Sequence, residues 1–223
     1  MKYLTRLTIG TALAVPALLP ARAADPASRR VAIECEDLTR TQPPSSAPFV
    51  SHVVGLHLWE MSKPAGVPIQ VLAEDGNPEW ILGATVNGTG ASKGYGDAAM
   101  GLPALPGGKR RIELQVDEGH PMVSGAWMLG KTNDGFAGVD AVDAYHLRAP
   151  LTVEVFALDA GTEVNSERKE FTPALGGLLR DPEHGVVALH PGVRGDADLP
   201  ASVRFDPAKP VGRVTITPMQ PAS

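Results

Sequence analysis

The sequence predicts an all-β fold, an antiparallel β-sandwich of about eight short strands with one or two short helices in its connections. Three observations lead there. The chain carries 21 prolines and 24 glycines among 223 residues, spaced so that apolar runs are punctuated at strand length. Several of those runs alternate apolar with polar residues, the period of a strand with one buried face. Windows with helical spacing are few, which favours sheet packed on sheet.

The first residues read as an export signal. Lys2 and Arg6 precede an apolar run from Leu7 to Leu19 broken by Pro16, and Ala21-Arg22-Ala23 supplies the small-x-small cleavage pattern. That run is short for a bilayer span, and no second one follows. Residues 1–23 are therefore expected to be a signal peptide, and the rest to be exported, periplasmic or secreted. Loss of three basic residues takes the net charge from −5 to −8. So acidic a chain repels nucleic acid, and anionic lipid too unless a cation bridges them. Roughly two hundred remaining residues suit one domain, with 24–30 as linker, 31–218 as the sandwich and 219–223 as a tail.

Val31 to Glu36 alternates and opens the strands, with Cys35 on the face of Val31 and Ile33. Cys35 is the only cysteine, so no intrachain disulfide can form, and a buried, inert thiol is expected. Thr41 to Pro48 is a Pro- and Ser-rich loop. Phe49 to Trp59 is a longer apolar run with His52 and His57, and reads as a strand buried on both faces. Val67 to Ala73 has helical spacing with Gly76 as its stop, and Asn77-Pro78 caps a second short helix bearing Trp80, Ile81 and Leu82. Asn87 to Leu105, rich in Gly and Ala, reads as an irregular connection. Arg111 to Asp117 is the cleanest strand, followed by Met122–Leu129, Leu151–Leu158 and Val211–Thr217. Trp59, Trp80 and Trp127 lie in apolar segments and are assigned to the core.

Two segments carry the chemistry. Lys131-Thr132-Asn133-Asp134-Gly135-Phe136-Ala137-Gly138 and Leu158-Asp159-Ala160-Gly161-Thr162-Glu163-Val164-Asn165 each follow an apolar run and set acid and amide oxygens on a Gly-containing turn. A turn centred on Gly161 can fold Asp159 and Glu163 toward one point, and sandwich loops gather at sheet ends, where Asp134 can join them. Converging carboxylates raise one another's pKa unless a cation neutralises them. Oxygen-only ligation selects calcium or magnesium over zinc. The same letters also spell ordinary turns, because Asp and Asn satisfy local backbone donors and Gly takes positive φ.

Other constellations are weaker. His52 and His57, five apart, would face opposite sides of a strand. His120, His146, His184 and His190 have no metal-ligand spacing. Ser124 lacks a Gly-x-Ser-x-Gly setting. The glycines from Gly83 to Gly96 form neither a phosphate loop nor a dinucleotide fingerprint. Arg194-Gly195-Asp196 reads as a solvated turn.

The two acidic segments, in this order, resemble the spondin domain family. Animal members carry Ser-Pro-Asp-Trp-Phe-Val-Gly where this chain has Thr132-Asn133-Asp134-Gly135-Phe136-Ala137-Gly138. They carry Asp-Ala-Gly-Thr-Asp where it has Asp159-Ala160-Gly161-Thr162-Glu163. Leu72-Ala73-Glu74-Asp75-Gly76-Asn77 and Glu163-Val164-Asn165 are similar to the bacterial branch. The likeness runs from about Val31 to Thr217. It implies an eight-stranded sandwich, similar to calcium-dependent membrane-binding domains, with one bound Ca2+ whose acidic ligands fall on Asp134, Asp159 and Glu163. Glu163 replaces the animal Asp, and Gly135 replaces Trp, which removes an aromatic beside the metal. The animal disulfides and following thrombospondin-type repeats are absent.

The expectation is a monomeric, non-enzymatic, calcium-binding adhesion or envelope module. Its partner would be an unidentified protein, glycan or lipid headgroup. The alternative is an exported metal-dependent hydrolase on the same acids, with Glu163 or His146 as general base.

Overall fold

The computed structural model describes residues 28–86, 94–195 and 197–219, with side chains at 84–86 left aside. The proposed signal peptide, residues 24–27 of the linker, residues 87–93 of the Gly-rich connection, Asp196 and the last four residues of the tail lie outside the described residues.

Two antiparallel sheets face each other. The smaller is built from β1 (Arg29–Asp37), β4 (Lys109–Val116), β7 (Leu151–Val155) and β10 (Gly212–Pro218), in the order β4-β1-β10-β7. The larger holds β2 (Ala47–His52), β3 (Tyr95–Gly101), β5 (Met122–Met128), β6 (Gly135–Asp143), β8 (Leu158–Asp159) and β9 (Ala188–Leu189), in the order β3-β2-β5-β6-β8-β9. The predicted sandwich is present, with ten strands among the described residues rather than about eight. Sequence reading missed β3, β6 and β9 because their runs are Gly- and Ala-rich or only two residues long.

Between the sheets, alternate residues of each strand pack into one core. Val31, Ile33 and Cys35 of β1 meet Phe49, Trp127 and Val139 of the larger sheet. Removing such a side chain from water contributes roughly 1.5–3 kcal/mol. Cys35 is free and buried as expected, and burial pushes its thiol pKa up to about 12.

Two helices add a third layer. α1 (Val67–Asp75) packs over β5 and β6, and α2 (Glu79–Val86) over β2 and β3. Gly76 ends α1 in the left-handed region at φ 66°, returning its N–H to Leu72 O at 2.8 Å. Asn77 Oδ1 accepts the Glu79 N–H at 2.9 Å and opens α2. Ile69, Leu72, Ala73 and Ile81 close over Val50, Ala126 and Phe136 on the outer face of the larger sheet. β2 is thereby buried on both faces, as its composition predicts.

Two sequence-based boundaries and one core assignment need correction. β2 stops at His52, and Gly55 at φ 83° turns the chain, so His57 is not on the strand. β1 begins at Arg29, inside the expected linker. Trp80 is 56% exposed, because it lies on the side of α2 that faces away from the sheet, while Trp59 and Trp127 are core.

Candidate functional site

The two oxygen-rich turns meet at one corner of the larger sheet. Gly135 opens β6 and pairs with Asp159 at the end of β8, which sets the two turns side by side. The Ala160 N–H extends that pairing to the Asp134 carbonyl at 3.2 Å. Gly135 tolerates no larger residue here, since a Cβ would overlap Thr132 Oγ1. The aromatic of the animal motif has no room at this position.

Asp134 is fully buried and organises the second turn. Its Oδ2 accepts the Thr162 N–H at 2.7 Å, the Thr162 hydroxyl at 3.1 Å and the Glu163 N–H at 3.0 Å. Its Oδ1 is buried with no hydrogen-bond partner among the described residues. Asp159 spends both oxygens locally: Oδ1 accepts the Gly161 N–H at 2.7 Å, and Oδ2 accepts from Asn165 Nδ2. Gly161 permits that tight turn at φ 68°, where a Cβ would lie 2.6 Å from Val186 N.

Glu163 is 1% exposed, and neither carboxylate oxygen has a hydrogen-bond partner among the described residues. It is ion-paired instead, with Arg180 Nε at 3.1 Å from Oε1. The backbone enforces this pairing. Val164 N–H reaches Asp181 O at 2.8 Å, Glu183 N–H reaches Thr162 O at 3.0 Å and Gly185 N–H reaches Gly161 O at 2.8 Å. Arg180 also touches Glu74 at 3.7 Å and Asp75, both on the last turn of α1.

The structure thus brings Asp134, Asp159 and Glu163 to one corner without closing them into a cage. Among the described residues, no three His, Cys, Asp or Glu side chains stand ready around a common point. Arg180 holds Glu163, and backbone and amide donors hold Asp159. The electrostatic strain of the corner remains. Burial, reinforced by the Asp159 charge, raises Asp134 from its ordinary 3.8 to about 6. Burial raises Glu163 to about 7 against the opposing pull of Arg180, with Glu74, Asp134 and Asp75 adding to the rise. A hard cation favours the ionised form of both. The unpartnered, buried oxygens of Asp134 and Glu163 are the kind of donor such an ion takes.

Sequence reasoning missed Arg180, Glu74 and His190. Arg180 carries no local signal, because its role comes from a pairing of residues 161–165 with 181–185. His190 is 3% exposed beside Asp159, and its Nδ1 accepts the Gly192 N–H at 2.9 Å. The ring proton therefore sits on Nε2, which is buried without a partner, so this imidazole is a donor and not a metal ligand in that tautomer. Burial lowers its pKa to about 4, against the opposing charges of Asp159 and Glu167.

The remaining candidates lie elsewhere. His146 lies three residues past the far end of β6, the strand whose first residue sits at the acidic corner, and pairs with Asp143 at 2.9 Å. It cannot act as a base at the corner. Ser124 is fully buried, and its Oγ meets His52 Nε2 at 2.8 Å, Asp140 Oδ1 at 3.0 Å and the Ala141 N–H at 2.7 Å. His57 bonds Asp140 from outside at 2.5 Å, and His52 is linked to the same carboxylate through the Ser124 hydroxyl. A half-open cavity of about 380 Å³ adjoins the second turn, lined in part by Gln70, Thr162, Glu183 and His184.

No helix among the described residues is long and apolar enough to cross a membrane. No curated protein matches the chain. A family model described as Spondin_N matches residues 44–169, a shorter span than the resemblance from Val31 to Thr217 suggested. That span covers more than half of the chain and includes both acidic turns, but not Arg180 or the strands β1, β9 and β10. Family likeness and antiparallel sandwich agree, and the chain belongs to the spondin N-terminal domain family.

Proposed function

We propose that this protein is an exported, non-enzymatic binding module whose spondin-type sandwich takes one Ca2+ at the acidic corner. Asp134, Asp159 and Glu163 would supply its acidic ligands. One observation carries the reading: among the described residues, buried carboxylate oxygens of Asp134 and Glu163 have no hydrogen-bond partner, at the corner where the two family motifs meet. Left alone, such groups cost stability. A divalent ion supplies the missing charge, ties the β6 and β8 turns together and stabilises the fold by mass action. An open position on the bound ion can accept a carboxylate of a partner protein, a glycan hydroxyl or a lipid headgroup.

The hydrolase alternative draws less support. His146 is remote, and Glu163, the other candidate base, is held by Arg180. Calorimetric titration of the chain with calcium chloride tests the reading, with melting temperature in calcium and in chelator as a second readout. Heat on titration and a rise in melting temperature are expected, both largely lost in Asp159→Ala. The absence of both in the unaltered chain would sink the proposal.

A further inference from the structure

Three carboxylates share one guanidinium. Arg180 Nε lies 3.1 Å from Glu163 Oε1 and 3.7 Å from Glu74 Oε2, while Nη2 pairs with Asp75 Oδ1. Its Nη1 is buried with no hydrogen-bond partner among the described residues. The setting of Glu74 and Asp75 explains why an arginine is needed. They end α1, which has no basic residue in its last turn. A helix C-terminus carries partial negative charge, so two acids there are opposed by their own helix. Arg180, 105 residues from Asp75 along the chain, delivers the cation that the helix lacks.

Glu163 is the point where this arrangement meets the acidic corner. Asp134 and Asp159 spend their engaged oxygens on hydrogen bonds, whereas the Glu163 carboxylate has only its ion pair. It is also the one member of the trio shared with another cation.

We propose, resting on the calcium reading above, that Arg180 is the resident cation of this corner and competes with the divalent ion for Glu163. Without the ion, Glu163 stays on Arg180. When the ion enters, Glu163 joins Asp134 and Asp159, and Arg180 is left to Glu74 and Asp75. The exchange keeps every charge served. The guanidinium retains two carboxylates and the helix terminus, and the unpartnered Asp134 oxygen gains a cation. Arg180 thereby sets the ion affinity and reports its occupancy to the end of α1, because residues 161–165 are zipped to 181–185.

The test compares the full chain with Arg180→Met by calorimetric titration with calcium chloride in chelator-treated buffer. Removal of the competitor is expected to tighten binding by about tenfold or more, within the roughly 5–150-fold range of coupled sites. Unchanged or weaker binding by the variant, with clear binding by the unaltered chain, overturns the competition and leaves the calcium reading standing. No binding by either protein overturns both. Loss of Arg180 leaves three acids without a cation and can cost the fold, so the side-chain Nε–Hε NMR signal of Arg180 in the unaltered chain is followed too, assigned with Arg180→Lys. That signal is expected to shift on calcium saturation together with the amides of Glu74 and Asp75. A signal that stays in place while calcium binds rejects the exchange.

Discussion

Asp134→Asn isolates the cost of burying one uncompensated carboxylate. The amide keeps the volume and offers an oxygen to the Thr162 and Glu163 donors, but carries no charge. In the ion-free chain Asp134 titrates near 6 instead of 3.8. At about 1.4 kcal/mol per pH unit, that displacement amounts to about 3 kcal/mol. The sign follows from linkage. A group whose folded pKa is raised gives stability that is complete below its unfolded pKa and is lost as pH rises through the folded value. In chelator near pH 7.5, Asp134→Asn should therefore be more stable than the unaltered chain by up to about 3 kcal/mol. The amide nitrogen takes over the unpartnered position, which makes that figure a ceiling. For a chain of this size the gain raises the melting temperature by up to about 6–12 °C. Near pH 5 the gain should fall to about half, because the carboxyl is then largely protonated in the folded state. Calcium should reverse the order, stabilising the unaltered chain and leaving the variant almost unmoved. Scanning calorimetry in chelator and in calcium, at both pH values, reads all of this. A variant less stable than the unaltered chain in chelator near neutral pH would refute the reasoning, since the three donated hydrogen bonds would then already compensate the charge.

Two further perturbations follow from the same geometry. Gly161→Ala forces a side chain into positive φ and against the Val186 backbone, so thermal denaturation should show a loss of about 1–3 kcal/mol or more, with calcium affinity reduced as the Asp159 turn distorts; an unchanged melting temperature would show that the turn relaxes freely. The Cys35 thiol, with its pKa at about 12, should resist thiol reagents near neutral pH until denaturant is added. Rapid labelling of the native chain would mean that β1 opens locally.

The sandwich was legible because its principal strands declare themselves by period. Arg111 to Val116 alternates along its whole length, and Val31 to Cys35 does the same with the cysteine pointing inward. α1 was legible from spacing and its glycine stop. β6 was not, because Gly135 to Gly138 reads as a turn until Trp127 and Ala126 are seen opposite Ala137 and Gly138. The meeting of the two acidic turns is legible through motif order. The engagement with Arg180 was hidden, since an ion pair between Glu163 and Arg180 depends on a long-range backbone pairing that no local pattern encodes. The histidines were misjudged for a related reason: a turn at Gly55 carried His57 back toward the carboxylate that His52 meets through Ser124.

The double burial of β2 has a consequence for how the sheet finds its alignment. In most strands a slip of one residue throws the apolar set into water, and that penalty fixes the register. Here it is weak, because Phe49 faces one core and Val50 the other. Shape takes over the task. Phe49 stands opposite Gly125, and a Cβ at that glycine would overlap the aromatic ring. A slipped strand would set the ring against Ser124 or Ala126, which have side chains. The bond between His52 and Ser124 then locks the end of the strand. The centre of the larger sheet is thus threaded correctly by one missing side chain and one buried polar pair, and a methyl group at Gly125 would act on pairing during folding before it acted on packing in the finished protein.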